Sequence, residues 1–163
     1  MKGYAHKIIT ASLAALMGAP AIGIAGAALG STLPDIDIKL GIPHRTYTHY
    51  WPLYGICLGT VYYVDKTTKL TTLEHIVMEV LTWVFIGALL HIVEDSFTVM
   101  GVPWIVPRDP QRRFSFKITK TGGVFEKLMI LVCVGAIYYR FPPESWGQGL
   151  LALFNMAKSY TIN

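Results

Sequence analysis

A chain of 163 residues is one domain's worth of sequence, and residues 1–163 are read as a single unit. Hydrophobic residues make up 53%, charged residues 15%, and the mean hydropathy is +0.45. So few charges, against ~25% in soluble domains, exclude a globule that covers its surface with charge and point to membrane embedding. The net charge of +4 is modest; on a membrane protein, basic loops set topology or meet anionic headgroups. No motif that reads DNA or RNA is present, so nucleic acid is not an expected partner. Cys57 and Cys133 lie in apolar stretches without CxxC spacing and read as buried free thiols.

The first apolar block, Ile8 to Leu33, carries no charge and is rich in Ala and Gly. Lys2 and Lys7 before it give it the look of a signal peptide, but it runs directly into Asp35 and Asp37 and is read as part of the mature fold. Gly18, Ala19 and Pro20 interrupt it, so it is either one kinked span or a hairpin of two short helices. The second block, Trp51 to Val64, has aromatic residues at both ends and suits a helix anchored at an interface. The third, Ile76 to Val93, contains Glu79 near its start and His91 near its end. The fourth, Leu128 to Tyr139, is flanked by Lys127 and Arg140, and a small amphipathic helix is expected at Leu150 to Met156. Between blocks three and four, Gly101 to Gly123 form a polar loop with Arg108, Arg112, Arg113, Lys117 and Lys120, in which Arg113 to Lys117 alternates like an extended segment. The fold class is all-α: a compact helical membrane bundle of about five or six helices. If all four blocks cross the membrane, the balance of basic loops places the Asp35–His49 loop weakly on the cytoplasmic side.

Three short strings carry the chemistry. Leu33-Pro34-Asp35-Ile36-Asp37 is expected to be a turn that directs two carboxylates at one centre, an arrangement that repels unless a cation neutralises it. His44, Arg45, Thr46, Tyr47, Thr48 and His49 follow, with two imidazoles around one guanidinium. His91 and Asp95 are four apart and share one face of a helix. Each string alone has a bland account, as a helix cap or a satisfied interfacial histidine. Together they place ionisable groups at the ends of apolar helices, where such groups are costly and mark function. His75 alone among the five histidines reads as unrelated.

These strings, with Thr98, Gly101, Val102 and Pro103 after Asp95, then Pro107 and Arg113 to Phe116, resemble the family of membrane-bound metal-dependent hydrolases, also labelled LexA-binding, inner membrane-associated hydrolases, the YdjM-like proteins. The resemblance spans His6 to about Lys117. It departs at Thr46, where the family has Gly, and at Tyr50, where it has a small residue; both alter the pocket wall more than the ligands. The resemblance implies a bacterial inner-membrane hydrolase with a divalent metal. Zinc is the first choice, manganese and iron are the alternatives, and six N/O donors favour two ions over one tetrahedral zinc. The ligands would be Asp35, Asp37, His49, His91 and Asp95, with His6 added by the resemblance. Asp37, His44 and Arg45 are the candidate catalytic groups. Arg45, Arg112 and Arg113 are candidates for holding substrate phosphate. The expected substrate is a phosphoester such as a lipid headgroup, with membrane lipid the expected partner; oligomeric state stays open. The alternative is a metal-binding transport or structural subunit without hydrolysis. If His6 is a ligand, block one must be a hairpin, because a straight helix rising ~1.5 Å per residue would hold His6 and Asp35 about a membrane apart.

Overall fold

Gly18 decides how the first apolar block folds. In the computed structural model, which describes residues 1–107 and 112–142, helix α1 (Gly3–Leu16) ends with the Ala19 N–H donating to the Ala14 carbonyl (3.0 Å) and the Gly18 N–H to Ala15 (3.1 Å). That pair of bonds closes only through a left-handed residue, and Gly18 has φ 87°. Pro20 then opens helix α2 (Ala21–Gly30) from extended backbone. The block is therefore the hairpin that His6 demanded. At 14 and 10 residues its arms run about 21 and 15 Å, too short to cross a ~30 Å core. Lys2 and Lys7 return to the side of Asp35, which removes them from the far side of the charge count.

The chain continues through α3 (Ile36–Leu40), a 3-10 turn at Tyr47–His49, α4 (Trp51–Thr67), α5 (Thr72–Ser96), strands β1 (Val102–Pro103) and β2 (Arg113–Phe114), and α6 (Val124–Arg140). Antiparallel pairing sets Val102 against Phe114 and Pro103 against Arg113, so the alternation after Arg113 becomes a strand for its first two residues. Six α-helices and one small sheet, among the described residues, make the all-α helical bundle expected. The helix expected at Leu150 to Met156 lies outside the described residues, as does Arg108.

Helix α5 is the spine. A capping box starts it, with Thr71 and Glu74 satisfying each other's orphan amides. At 25 residues it is the one helix, among the described residues, long and apolar enough to cross a membrane. It packs against α2, α4 and α1, while α6 covers α1 on another side. The α2–α5 contact is backbone on backbone. A Cβ added at Gly30 would lie 1.9 Å from the Val84 carbonyl oxygen, and one at Gly87 would lie 2.1 Å from that of Ala27. Gly26 and Gly30, one turn apart, form the small-residue stripe that permits this approach. Two apolar clusters flank the spine: Met1, Ala5, Ile9 and Cys133 between α1 and α6, and Tyr54, Ala88, Ile92 and Val102 between α4, α5 and β1. Many large apolar side chains stay exposed, Ile56 and Leu131 among them, more than an aqueous surface tolerates without a covering partner.

Candidate metal centre

The end of α5, the start of α1 and the loop after α2 meet at one buried point. From α1 comes His6, from α5 His91 and Asp95, and from the 3-10 turn His49, all buried. Asp35 approaches from the loop and is the partly open member, its side chain 24% exposed. The His6 and His91 rings stack with centroids 3.7 Å apart, and His49 meets His91 edge-on at 5.3 Å.

The hydrogen bonds fix the ring tautomers. His91 Nδ1 lies 2.6 Å from the Ser31 carbonyl, which can only accept, so Nδ1 carries the proton. His6 Nδ1 lies 2.6 Å from the Glu94 carboxylate, with the same consequence. The Thr48 hydroxyl donates to Asp37 Oδ2 (2.6 Å), which leaves its oxygen to accept from His49 Nδ1 at 3.2 Å. Each ring thus anchors its Nδ1 outward and turns its Nε2 inward; burial lowers the His6 pKa, but Asp95 and Glu94 outweigh it and hold it above its usual value. Those three Nε2 atoms and Arg45 Nε are the buried side-chain polar atoms left without a hydrogen-bond partner among the described residues.

Carboxylates face these nitrogens at longer range. His6 Nε2 is 3.4 Å from Asp95 Oδ1, and His49 and His91 Nε2 are each 3.7 Å from Asp95 Oδ2. Asp35 Oδ1 is 3.5 Å from His91 Nε2 and 3.6 Å from His49 Nε2. Charge-assisted hydrogen bonds are shorter, ~2.7–2.9 Å. Ligands bound at ~2.1 Å to one tetrahedral ion, by contrast, sit about 3.4 Å from each other. Two neighbouring groups with no residue in common could each hold an ion: His6, His91 and Asp95, and Asp35, His44 and His49, each with donor atoms within 4.8 Å. The donor chemistry fits a divalent transition metal: imidazole nitrogen, carboxylate oxygen and outer-shell anchors on every ring.

Of the six ligands expected from sequence, five converge on this point. Asp37 sits one layer out. Asp35 ends the irregular segment, and from Ile36 the chain is helical, so the two carboxylates diverge instead of sharing a centre. They grip opposite sides of one ring: Asp35 faces His49 Nε2, and Asp37 Oδ2 lies 3.4 Å from His49 Nδ1. Asp37 also accepts from the Arg45 N–H and pairs with His44 Nδ1 at 2.9 Å. Burial opposes its ionisation, but the Thr48 and His44 hydrogen bonds outweigh this and hold the carboxyl below its usual range. Burial depresses His49, helped by His91 and against the Asp35 contact, which keeps the ring neutral and able to bind metal.

Arg45 also lies elsewhere than its expected substrate role. It is 3% exposed, with its guanidinium bonded to Thr98 Oγ1 (2.8 Å), the Gly101 carbonyl (3.0 Å) and Asp95 Oδ2 (2.8 Å). Thr98 and Gly101, the residues following Asp95 in the sequence motif, are thus its cradle. Arg45 takes a left-handed φ of 59°, which a non-glycine residue holds only under strong constraint. It clamps the His44–His49 loop to the end of α5 and orients Asp95. The Met1 amino group bonds the other oxygen of Asp95. His44 stands at the mouth, its side chain 33% exposed and Nε2 3.9 Å from Asp35. Arg113 reaches back to the His44 carbonyl (3.4 Å), and Arg112 is exposed beside it. His75 pairs with Asp65 at the α4–α5 turn, apart from the centre as expected.

Sequence reading missed Glu94. It is buried between His6 Nδ1 and the Thr10 hydroxyl (2.9 Å), and the signal was present: His6 and Thr10 are one turn apart on α1 and converge on one acceptor. Glu94→Gln should weaken metal retention by ~10–100-fold, the usual cost of losing an outer partner. Competition with a chromophoric chelator would measure it; wild-type retention would show that Glu94 does not orient His6.

A family model described as YdjM inner membrane protein matches residues 1–162. The chain belongs to this family. The YdjM family assignment makes it an inner membrane protein by kinship, in line with the long apolar α5. No curated protein and no solved structure matches the chain.

Proposed function

We propose that this YdjM-family protein is an integral inner-membrane hydrolase dependent on a divalent metal, zinc or a similar ion, and that it cleaves a phosphoester at headgroup level. The convergence on Asp35 and Asp95 of three buried Nε2 atoms without hydrogen-bond partners carries the reading. A divalent cation would satisfy three imidazole nitrogens that lack hydrogen-bond partners and bind the facing carboxylates at the same buried point. His6, His91 and Asp95 would hold one ion, and Asp35 and His49 would bind a second, leaving His44 at the rim uncoordinated. When bound, the metal supplies Lewis acidity and brings a water toward deprotonation near neutral pH.

The chain's own groups do the rest. Asp37 keeps the His44 proton on Nδ1, so His44 Nε2, facing the opening, can take a proton from water and return it to the leaving oxygen. Arg45 holds Asp95 in place from behind and does not touch substrate in this reading. The exposed apolar faces of α4 and α6 support embedding, which would set the open side of Asp35 near the headgroups.

The test is metal analysis of the purified full-length protein, followed by assay of p-nitrophenyl phosphate and phosphatidic acid hydrolysis before and after chelation. At least one equivalent of transition metal, with activity lost to chelator and regained on zinc or manganese, is expected. Metal without hydrolysis would favour a binding or transport role; no metal would overturn the site.

A further inference from the structure

Beside Asp35 opens a cleft of about 370 Å³, walled by Tyr4 and Lys7 of α1, by Ser31 and Thr32 after α2, and by Lys39 of α3. It shares two residues with the centre: Asp35, its exposed carboxylate, and Ser31, whose carbonyl anchors His91. Lys7 and Lys39 are exposed, and neither forms an ion pair with a described residue. Two unpaired cations on the wall of a cleft that ends at a carboxylate would repel nothing but other cations; they attract an anion and leave Asp35 to the metal side.

We infer that this cleft admits the substrate and that Lys7 and Lys39 bind the phosphate group of a phosphomonoester, delivering it to the opening at Asp35. The consequence for turnover rests on the hydrolase reading above; the binding itself does not. Arg112 and Arg113, the phosphate candidates by sequence, do not line this cleft. Lysine suits the role because its flexible stem places a compact charge without demanding one fixed geometry. The lining also includes Leu33 and the exposed Ile36. A phosphate that carries acyl chains could therefore lay them against the same face from which the lysines extend.

Calorimetric titration of the full-length protein in detergent, metal-loaded and metal-free, with inorganic phosphate, glycerol 3-phosphate and dioctanoyl phosphatidic acid tests this. Lys7→Gln and Lys39→Gln change exposed residues, so circular dichroism and metal content should match the wild type. Each is expected to weaken binding of all three probes about tenfold, the scale of one charge-assisted contact. Lys66→Gln, at the opposite α4–α5 turn, should bind as wild type. Tighter binding of phosphatidic acid than of glycerol 3-phosphate would identify a lipid source, and equal binding a soluble phosphoester; both keep the phosphate contact. Wild-type binding by both lysine variants, or its loss on Arg112→Gln instead, overturns the inference and leaves the metal centre standing. A protein that holds no metal but binds phosphate through these lysines overturns the hydrolase reading and leaves the cleft standing.

Discussion

His91→Ala should abolish the proposed metal binding and any hydrolytic turnover, while His75→Ala changes neither. His91 links both groups of donors: its Nε2 faces Asp35 at 3.5 Å and Asp95 at 3.7 Å, and its ring stacks on His6. Losing an outer partner of a metal ligand costs ~10–100-fold in affinity. Losing an inward donor should cost more, so metal content should fall from at least one equivalent to a trace and turnover by more than about 100-fold. The variant also leaves the Ser31 carbonyl without its donor, a cost of about 1–3 kcal/mol. Circular dichroism and melting of His91→Ala must therefore accompany the metal measurement, to separate a lost ligand from a lost fold. His75 is the internal control because it is exposed and paired to Asp65 away from the centre. Full metal content in folded His91→Ala would refute the proposed ligand set.

Gly87→Ala, like Gly30→Ala across the same contact, should be among the most damaging single-methyl additions at the described glycines. Its Cβ would meet the Ala27 carbonyl oxygen at 2.1 Å and the Ala27 carbonyl carbon at 2.8 Å, both backbone atoms that cannot rotate aside. Helices α2 and α5 would have to separate, at a cost of about 3 kcal/mol, the upper end for overpacking. Separation also draws Ser31, which follows α2 directly, away from His91 Nδ1. A lowered melting temperature and weakened metal retention should therefore appear together. Gly135→Ala gives the contrast: no atom lies within 4 Å of its added Cβ, and in a helix interior the change should stabilise by up to ~1 kcal/mol. Equal melting of the two variants would show that α2 and α5 are not in backbone contact.

The break in the first apolar block and most of the donor list were legible because both are written locally; the choice of a hairpin over a kinked span followed only once His6 was counted among the donors. Gly18 before Ala19 and Pro20 is a helix stop at any depth in a protein, since a left-handed φ and a missing amide act within a few residues. His91 and Asp95 share a face by helical period alone. Asp35 and Asp37 were harder. Their spacing suggests a common target, yet a helix that begins at Ile36 turns the second carboxylate to the far side of His49, and that start depends on surroundings that no local pattern reports. Arg45 misleads for a related reason. A guanidinium in a histidine loop reads as a substrate contact until its partners, Thr98 and the Gly101 carbonyl from fifty residues downstream, are seen to enclose it.

By itself the sequence determined that this chain is apolar, helical and equipped with His6, His49, His91, Asp35 and Asp95 as hard-to-bury donors. Composition, helix stops and side-chain chemistry are properties of short stretches. Only the tertiary structure decided which nitrogen of each ring points inward, because Ser31, Glu94 and Thr48 select it through hydrogen bonds made when distant segments pack. The backbone approach of α2 to α5 brings the Ser31 carbonyl to His91, and the folding back of α1 brings His6 to Glu94. A centre assembled from such contacts exists only once the bundle closes.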